Sequence, residues 1–271
     1  MRISVVMPVG RIDPFLSETL ANVNQQTFRD FELVVVCGMD ILDDVSALLR
    51  QMAFDFPVQT IGTRLRGVAF AANLGIAHAR AELIARWDSD DLCDPQRFAR
   101  QVEELDKDPN LGVIGTRVLI VDEGGKPNPF QKFKFFETDS QIRRALKYRQ
   151  PLLHSSLVFR AALLFGNKGY LYGHTSEDHE LFIRIARNKD TRFLNIPDIV
   201  TYYRRHSSQL SDLSNQHYAF YEIAGFMTTE FLRTWNPLYI LGAMVNFPML
   251  RRLRHRVRAL RRSVSAPKPT S

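Results

Sequence analysis

Apolar runs and helical patterns alternate through the first part of the chain. Nearly continuous apolar runs predict four buried strands, at 3–9, 31–36, 58–62 and 83–87. The first, second and fourth strands are followed by apolar residues at helical spacing, which is typical of a helix that packs by one face, and a helix of small residues is predicted over 67–81 after the third. Pro14 and Pro95, each directly after an aspartate, mark the first turns of two of these helices. This alternation predicts an α/β fold with a mostly parallel, Rossmann-like sheet covered by helices on both faces.

The second part of the chain has a less regular pattern. Strand or extended segments are predicted at 111–121, 132–139, 155–160 and 192–205, the last as two short strands. Helical spacing occurs around 142–148 and over 177–188. From Asn215 onward the residues become helical and aromatic in character, which predicts a C-terminal helical extension.

The composition is that of an ordinary globular protein. Of the 271 residues, 45% are hydrophobic and 24% are charged, which permits a sizeable core. The two cysteines, Cys37 and Cys93, form neither a disulfide framework nor a metal-ligand motif, and they indicate a reducing compartment. The N-terminus lacks the pattern of a signal peptide, so we expect a cytoplasmic protein.

Positive charge is concentrated at the C-terminus. Residues 251–271 hold eight of the 36 basic residues and no acidic one, which leaves 28 basic and 29 acidic residues elsewhere. A nearly neutral body argues against a nucleic-acid partner. The preceding residues 235–250 are apolar, but they contain two prolines and are shorter than the roughly 20 residues of a spanning helix. We expect this segment to lie on an anionic membrane surface; the alternative is a core helix followed by a solvated basic tail.

Three aspartates crowd together where the fourth predicted strand ends. Asp88, Asp90 and Asp91 all lie in the segment RWDSDDL. One interpretation is a solvated turn, with Asp94 capping the next helix. The other is a divalent cation site, because Mg²⁺ is commonly held by one or two carboxylates together with substrate phosphates. Ligands of parallel α/β sheets bind at the carboxyl ends of strands, where these aspartates fall.

Two later segments carry further candidate chemistry. In SEDHELFIRIA, Glu177 and Asp178 precede a predicted helix. Asp178 fits a capping box with the threonine three positions before it, but the acid pair also suits a base presented at a helix start. In YYRRHSSQLS, Arg204 and Arg205 are suited to bind phosphate and His206 to bind a metal. An exposed basic loop is the simpler alternative there.

In this order, the segments resemble family 2 glycosyltransferases of the GT-A fold, of the kind that builds bacterial surface polysaccharides. The resemblance covers about residues 3–211. It is carried by SVVMPV (4–9), NQQTFRDFELVVV (24–36), RGVAFAANLGIAHARAELIARWDSDD (66–91), HSSLVFR (154–160), SEDHELFIRIA (176–186) and YYRRHSSQLS (202–211). It implies a catalytic domain over 1–211, with a nucleotide-binding half over about 1–110 and an acceptor half over about 111–211. Residues 212–271 would then form a helical, apolar and Arg-rich tail that associates with the membrane.

The resemblance also assigns roles to residues. It implies that Asp178, with Glu177 beside it, is the catalytic base of a single, inverting sugar transfer. Asp90 and His206 are implied as ligands of a divalent metal, Mn²⁺ or Mg²⁺, with Asp91 in support. The implied donor-binding residues are Pro8, Val9, Asp40, Arg66, Asn73, Asp88, Ser89 and Arg205. The expected partners are a nucleotide sugar, most simply a UDP-sugar, and a saccharide or lipid-linked acceptor at the inner face of the cytoplasmic membrane.

The chain departs from the family pattern in two places. Gly10-Arg11 stands where the family often has an aromatic residue and asparagine, and CGMD at 37–40 stands where it usually has an Asp-Asp-Gly-Ser-like run. The identity of the nucleotide base of the donor is therefore left open. Two alternatives remain. A sugar nucleotidyltransferase should carry a Gly-rich loop with a lysine, which MPVGRIDPF at 7–15 lacks. A non-catalytic nucleotide-sugar-binding protein would have no need of the acid pair at 177–178.

Overall fold

The computed structural model describes residues 1–128, 133–171, 176–207, 209 and 216–247. Its strands are β1 (Ile3–Val9), β2 (Phe31–Gly38), β3 (Val58–Thr63), β4 (Leu83–Arg86), β5 (Leu92–Cys93), β6 (Leu111–Val121), β7 (Val158–Arg160) and β8 (Arg192–Arg204). Its helices are α1 (Leu16–Asn24), α2 (Leu42–Gln51), α3 (Val68–His78), α4 (Arg97–Lys107), α5 (Asp139–Leu146), α6 (Ala161–Gly166), α7 (Glu177–Ile185), α8 (Gln216–Thr234) and α9 (Pro237–Asn246). A 3-10 turn spans His154–Ser156.

Within these ranges the strands form one sheet in the order β3-β2-β1-β4-β7-β6-β8-β5. Neighbours from β3 to β4 are parallel, and β8 is parallel to β6. β7 lies antiparallel between β4 and β6, and the two-residue β5 is antiparallel to β8. The predicted α/β fold with a mostly parallel sheet is therefore confirmed, with two short strands reversed.

Helices on both faces of the sheet explain why the first strands are apolar throughout. Successive side chains of a strand point to opposite faces. Ile3, Val5 and Met7 of β1 pack into a core with α1, α2 and α4. Val6 packs into a second core, to which α3, α5, α6 and α7 contribute. Because each face is buried, alternation between apolar and polar residues disappears in this part of the sequence.

The structure corrects several predicted elements of the second part. The two strands predicted within 192–205 form the single strand β8. Pro197, which has no N–H for the ladder, lies where the pairing with β6 skips from Ile196 to Ile199. The strand predicted at 155–160 is divided between the 3-10 turn and β7. The described residues 133–138 form no strand, and β5 and α6 were not predicted.

The described part of the C-terminal extension consists of α8 and α9. The Asn236 side chain caps α9 by accepting a hydrogen bond from the N–H of Leu238 at 3.1 Å. A Cβ at Gly242 would lie 2.1 Å from the carbonyl oxygen of Lys147, so this glycine lets α9 dock closely. Leu241 and other apolar side chains of α9 stay exposed.

None of the helices that the structure describes is long and apolar enough to cross a membrane. The basic residues predicted to contact lipid, 251–271, lie outside the described ranges.

Candidate active site

A buried arginine at the end of β4 anchors the first of the three aspartates. The guanidinium of Arg86 donates hydrogen bonds to the carbonyl of Val6 (2.7 Å) and to the carboxylate of Asp88 (2.8 Å). It also donates to Nε2 of His154 at 3.2 Å. A fully buried charge needs such partners, and Asp88 supplies the opposite charge. Burial raises the pKa of Asp88, the charge of Arg86 opposes this shift, and Asp90 adds to it.

Asp91 links three segments beneath this strand end. Its carboxylate accepts hydrogen bonds from the Ser155 hydroxyl and from the backbone N–H of Arg204, the latter at 2.9 Å. Its carbonyl accepts a hydrogen bond from the indole N–H of Trp87 at 3.1 Å. Burial and the two neighbouring aspartates raise the pKa of Asp91 well above its ordinary value. Asp91 therefore joins the strand end to the 3-10 turn and to β8.

Asp90 and His206 meet from distant parts of the chain. Nε2 of His206 and Oδ2 of Asp90 are 2.8 Å apart. His206 is buried, with its ring centroid 4.8 Å from that of Phe15, whereas the Asp90 side chain is 20% exposed. The two predicted metal ligands thus lie together. In the parts of the chain described by the structure, no three His, Cys, Asp or Glu side chains form a metal-binding cluster.

Asp94 does not cap α4 as predicted, because Gln96 is the N-cap residue and no side-chain capping hydrogen bond forms there. The Asp94 carboxylate instead accepts a hydrogen bond from the N–H of Gln96 at 2.8 Å in the turn before the helix. The other three aspartates take no part in this hydrogen bond. Each of their carboxylates is instead bonded to a buried side chain, from Arg86, His206 or Ser155.

The predicted acid pair lies at the start of α7. Glu177 is buried, and its Oε2 finds no hydrogen-bond partner among the residues that the structure describes. Oδ1 of Asp178 accepts a hydrogen bond from the N–H of His179 at 2.6 Å. The helix is capped at Ser176 without a side-chain hydrogen bond, and Thr175 of the predicted capping box lies outside the described residues. Burial raises the pKa of Asp178 to about 6, and burial with the charge of Asp178 raises that of Glu177 to about 8.

The two acidic groups share one cleft. The charge of Asp88 raises the pKa of both Glu177 and Asp178, and the charge of Arg86 lowers that of Glu177. Charges act on one another in this way only over short distances that water screens poorly. The end of β4 and the start of α7 therefore lie close to each other, and the region between them is the cleft.

A hydrogen-bonded chain connects the two sides of the cleft. Nε2 of His154, which receives the Arg86 N–H, also accepts a hydrogen bond from the Tyr170 hydroxyl at 2.5 Å. Burial and the charge of Arg86 hold the pKa of His154 well below its usual range, so the ring is neutral.

The Asn73 amide exchanges two 2.8 Å hydrogen bonds with the backbone of Tyr170. At Gly169, φ is +62° and a Cβ would lie 2.2 Å from Oδ1 of Asn73, so glycine is required. Asn73, which was predicted to contact the donor, thus holds the segment that leads towards α7.

Other predicted donor-binding residues lie along the carboxyl edge of the parallel strands. Pro8 is half-buried and Val9 is buried at the end of β1. Asp40 follows β2 and Arg66 follows β3, and their exposed side chains form an ion pair at 3.3 Å. Ser89 is half-buried after β4. These residues therefore share the edge at which ligands of such sheets bind.

The two consecutive arginines after β8 differ in their surroundings. The Arg204 guanidinium is buried, bonded to the Glu18 carboxylate at 2.6 Å and positioned 4.6 Å above the ring of Phe15. The prediction that Arg204 binds phosphate is therefore wrong, because its charge is neutralised inside the fold. Arg205, the predicted donor-binding residue, is half-buried, and its guanidinium lies 3.5 Å from Oε1 of Gln209.

Sequence reasoning missed four residues of this cleft: Arg86, Gln150, His154 and Tyr170. Arg86 did carry a signal, since a charged residue within an apolar, buried strand requires a partner. His154 lies in a segment that contributed only to the family resemblance. Gln150 carries no local signal at all, yet it lies near enough to Asp178 to lower the pKa of that carboxyl.

Comparison with known sequences gives matches over most of the chain. The family described as "Glycosyl transferase family 2" matches residues 4–168. The O-antigen biosynthesis glycosyltransferase WbnJ of Escherichia coli is 28% identical over 249 residues, which cover 90% of this chain and 94% of WbnJ. The amylovoran biosynthesis glycosyltransferase AmsE of Erwinia amylovora is 25% identical over 205 residues, which cover 75% of each chain.

Solved structures with similar folds are also found. Staphylococcus aureus TarS 1–349 in complex with UDP-GlcNAc has a TM-score of 0.66 at 18% identity, over 92% of this chain and 71% of that chain. The mannosyltransferase PcManGT from Pyrobaculum calidifontis, in complex with GDP-Man and Mn²⁺, has a TM-score of 0.63 at 22% identity, over 99% and 76% of the two chains. At these identities the likeness concerns the fold, which is the GT-A fold.

Proposed function

Because the chain belongs to glycosyl transferase family 2, we propose that it moves one sugar from a UDP-sugar to a saccharide or lipid-linked saccharide, with inversion at the anomeric carbon. That the chain is a glycosyltransferase of polysaccharide biosynthesis follows from the family and its relatives. The names of WbnJ and AmsE support a surface polysaccharide as the product.

The observation that carries the proposal is the shared cleft. Carboxylates at the end of β4 lie at the edge where a sheet of this type binds a nucleotide. The buried acid pair at the start of α7 lies close enough to them for Asp88 to raise the pKa of both Glu177 and Asp178. A donor diphosphate on one side and an acceptor hydroxyl on the other fit this arrangement. A protein that only bound nucleotide sugars would not require the second set of acids.

In the proposed reaction, the Asp178 carboxylate takes the proton of an acceptor hydroxyl. The acceptor oxygen then forms a bond to the anomeric carbon while the bond from that carbon to the diphosphate oxygen breaks. The electron pair of the broken bond leaves with the nucleoside diphosphate, and the proton stays on Asp178. Its pKa, raised to about 6 by burial, makes this carboxylate a stronger base than an ordinary aspartate.

Asp90 and His206 suit a divalent cation, which is part of the proposal. They offer a carboxylate oxygen and an imidazole nitrogen that lie 2.8 Å apart at the nucleotide-binding edge. Mg²⁺ and Mn²⁺ accept few protein ligands when phosphate oxygens of a substrate complete the shell, so two protein ligands suffice. When bound, the cation would neutralise negative charge on the departing diphosphate. The complex of PcManGT with GDP-Man and Mn²⁺ supports this assignment by analogy.

A donor screen tests the proposed function. The purified chain is incubated with UDP-glucose, UDP-galactose, UDP-N-acetylglucosamine or GDP-mannose, with Mn²⁺ or with EDTA, and release of the nucleoside diphosphate is measured with water as the acceptor of the sugar. We expect release from one UDP-sugar, dependent on Mn²⁺, and a loss of about a hundredfold in Asp90→Asn. Asp44→Asn, at an exposed position of α2, is the matched control. No release from any donor would contradict the activity, and release that persists in EDTA would contradict the metal assignment.

We also propose that the C-terminal extension contacts an anionic membrane at its cytoplasmic face. Trp235, Leu241, Met244 and Phe247 expose large apolar side chains in and around α9. The arginine-rich sequence 251–262 follows directly. Apolar side chains beside clustered arginines are typical of a segment that lies in the headgroup region of anionic lipid.

Vesicle flotation tests the membrane contact. We expect the full chain to float with phosphatidylcholine vesicles that contain one third phosphatidylglycerol and to stay unbound with phosphatidylcholine alone. Leu241→Gln should weaken flotation several-fold, because it removes apolar area from the contacting face. Phe165→Gln is the control, since Phe165 is equally apolar and exposed on α6. Equal flotation of the two variants, or none with anionic vesicles, would contradict the proposal.

A further inference from the structure

Gln150 presents a buried, incompletely paired amide beside the proposed base. Both Nε2 and Oε1 are buried, and among the described residues neither reaches a partner at full hydrogen-bonding geometry. The amide lies beside the Asp178 carboxyl and acts on it as a weak donor, which lowers the pKa of that carboxyl. Buried side-chain amides nearly always form hydrogen bonds, so an amide left incompletely paired at a reaction site indicates a partner that comes with the substrate.

Glu177 adds a second incompletely paired group on the same side of the cleft. The residue is only 7% exposed, and within the described ranges its Oε2 lacks a hydrogen-bond partner. The Gln150 amide offers two N–H donors and one acceptor, and a protonated carboxyl offers one donor and one acceptor. A sugar ring presents adjacent hydroxyls that both donate and accept hydrogen bonds, so it matches this mixed set.

We propose that Gln150 and Glu177 bind a hydroxyl of the acceptor sugar next to the hydroxyl that Asp178 deprotonates. The inference rests on the proposed function and extends it to the acceptor. It also defines the acceptor class at this position as an uncharged sugar ring. A uronate or phosphate group would bring a negative charge against Asp178 and would find no basic side chain in this pair.

Binding of simple glycosides to the full chain tests the inference. The protein is saturated with UDP and Mn²⁺ and titrated with the methyl glycosides of glucose, galactose, N-acetylglucosamine and glucuronic acid, with saturation-transfer NMR as the readout. UDP binding is measured separately by calorimetry. The variants are Gln150→Leu, which removes the amide, and Gln150→Glu, which keeps its size. Gln51→Leu, at an exposed position of α2, is the matched control.

We expect at least one neutral glycoside to bind the unchanged protein and Gln51→Leu equally, and methyl glucuronide to bind neither. Gln150→Leu should weaken glycoside binding about tenfold while the Kd for UDP stays within about twofold. If the leucine variant unfolds, Gln150→Glu should show the same selective loss, because its charge opposes Asp178.

Three outcomes would overturn the inference. They are unchanged glycoside binding in a folded Gln150 variant, an equal loss of UDP binding, and the absence of any neutral glycoside binding by an unchanged protein that binds UDP. Gln150 would then serve to orient Asp178 or to stabilise the fold. Failure of the unchanged protein to bind any nucleotide would instead overturn the proposed function, so the two failures are distinguishable.

Discussion

Replacing Asp178 by asparagine is expected to lower kcat about a thousandfold while the donor Kd stays within about twofold of that of the unchanged protein. The amide has nearly the shape of the carboxylate, and its oxygen can still accept the hydrogen bond from the N–H of His179. Only the capacity to take a proton disappears. Single-turnover transfer and calorimetric titration with the donor measure the two quantities. Asp190→Asn, at an exposed position after α7, is the control and should match the unchanged protein.

The pH dependence of transfer follows from the same acid pair. Burial gives an apparent pKa of about 6 for Asp178, and burial together with the charge of Asp178 gives about 8 for Glu177. Because the base works only after Asp178 has lost its proton, kcat/KM should rise with pH through about 6. Ionised Glu177 could no longer donate a hydrogen bond to the acceptor sugar, so kcat/KM should fall above about 8. The residual activity of Asp178→Asn should not rise as the pH passes through about 6, the pKa of the missing carboxyl.

The stability of the Asp178 variant should change in the opposite direction to its activity. Because the folded-state pKa lies above the ordinary value of 3.8, ionisation of Asp178 destabilises the fold as pH rises from about 4 to above 6. The neutral amide removes this penalty, so the melting temperature at pH 8 should rise by roughly 3 to 8 °C. At pH 4 the two proteins should melt together. A variant that transfers sugar normally, or that melts lower at pH 8, would contradict the assignment of Asp178.

The sequence predicted best those features that depend on neighbouring residues. Strands β1, β2 and β4 are apolar because both of their faces are covered, and turns or helix starts lie between them. The position of Asp88 and Asp90 follows from the same logic, since parallel strands end at one edge. A local pattern does not show strand direction, so the reversal of β7 was not predicted. Pro197 suggested a break in β8, but an irregular pairing with β6 accommodates it.

The pairing of side chains across the cleft was beyond prediction because it depends on long-range contacts. Arg204 and Arg205 look alike in the sequence, yet only Arg204 is buried against Glu18. Gln150 meets Asp178 only through the path of the chain between α5 and α7. Such contacts have no period and no fixed spacing, so composition and pattern carry no information on them.

Replacing Arg86 by methionine is expected to lower the free energy of unfolding by about 3–5 kcal/mol. Methionine fills much of the volume but leaves Asp88 without its opposite charge and removes one hydrogen-bond donor each from the Val6 carbonyl and the His154 ring. Urea unfolding measures the loss. Arg192→Met is the matched control, because Arg192 forms an ion pair of the same length with Asp108, 2.8 Å, but is 61% exposed. That surface pair should contribute less than about 1 kcal/mol.

A double variant separates the effect of an unpaired charge from that of lost packing. In Arg86→Met with Asp88→Asn, neither residue carries a charge, so most of the stability should return if the destabilisation comes from Asp88. Activity should not return with it, because the proposed donor site would then lack the Asp88 carboxylate. Stability that stays low in the double variant would show instead that the hydrogen bonds of Arg86 to Val6 and His154 dominate. A double variant that regains stability but not transfer would show the role of Arg86 in the site. That role is to hold an anionic side chain at the end of β4, where the surrounding apolar residues would otherwise exclude a charge.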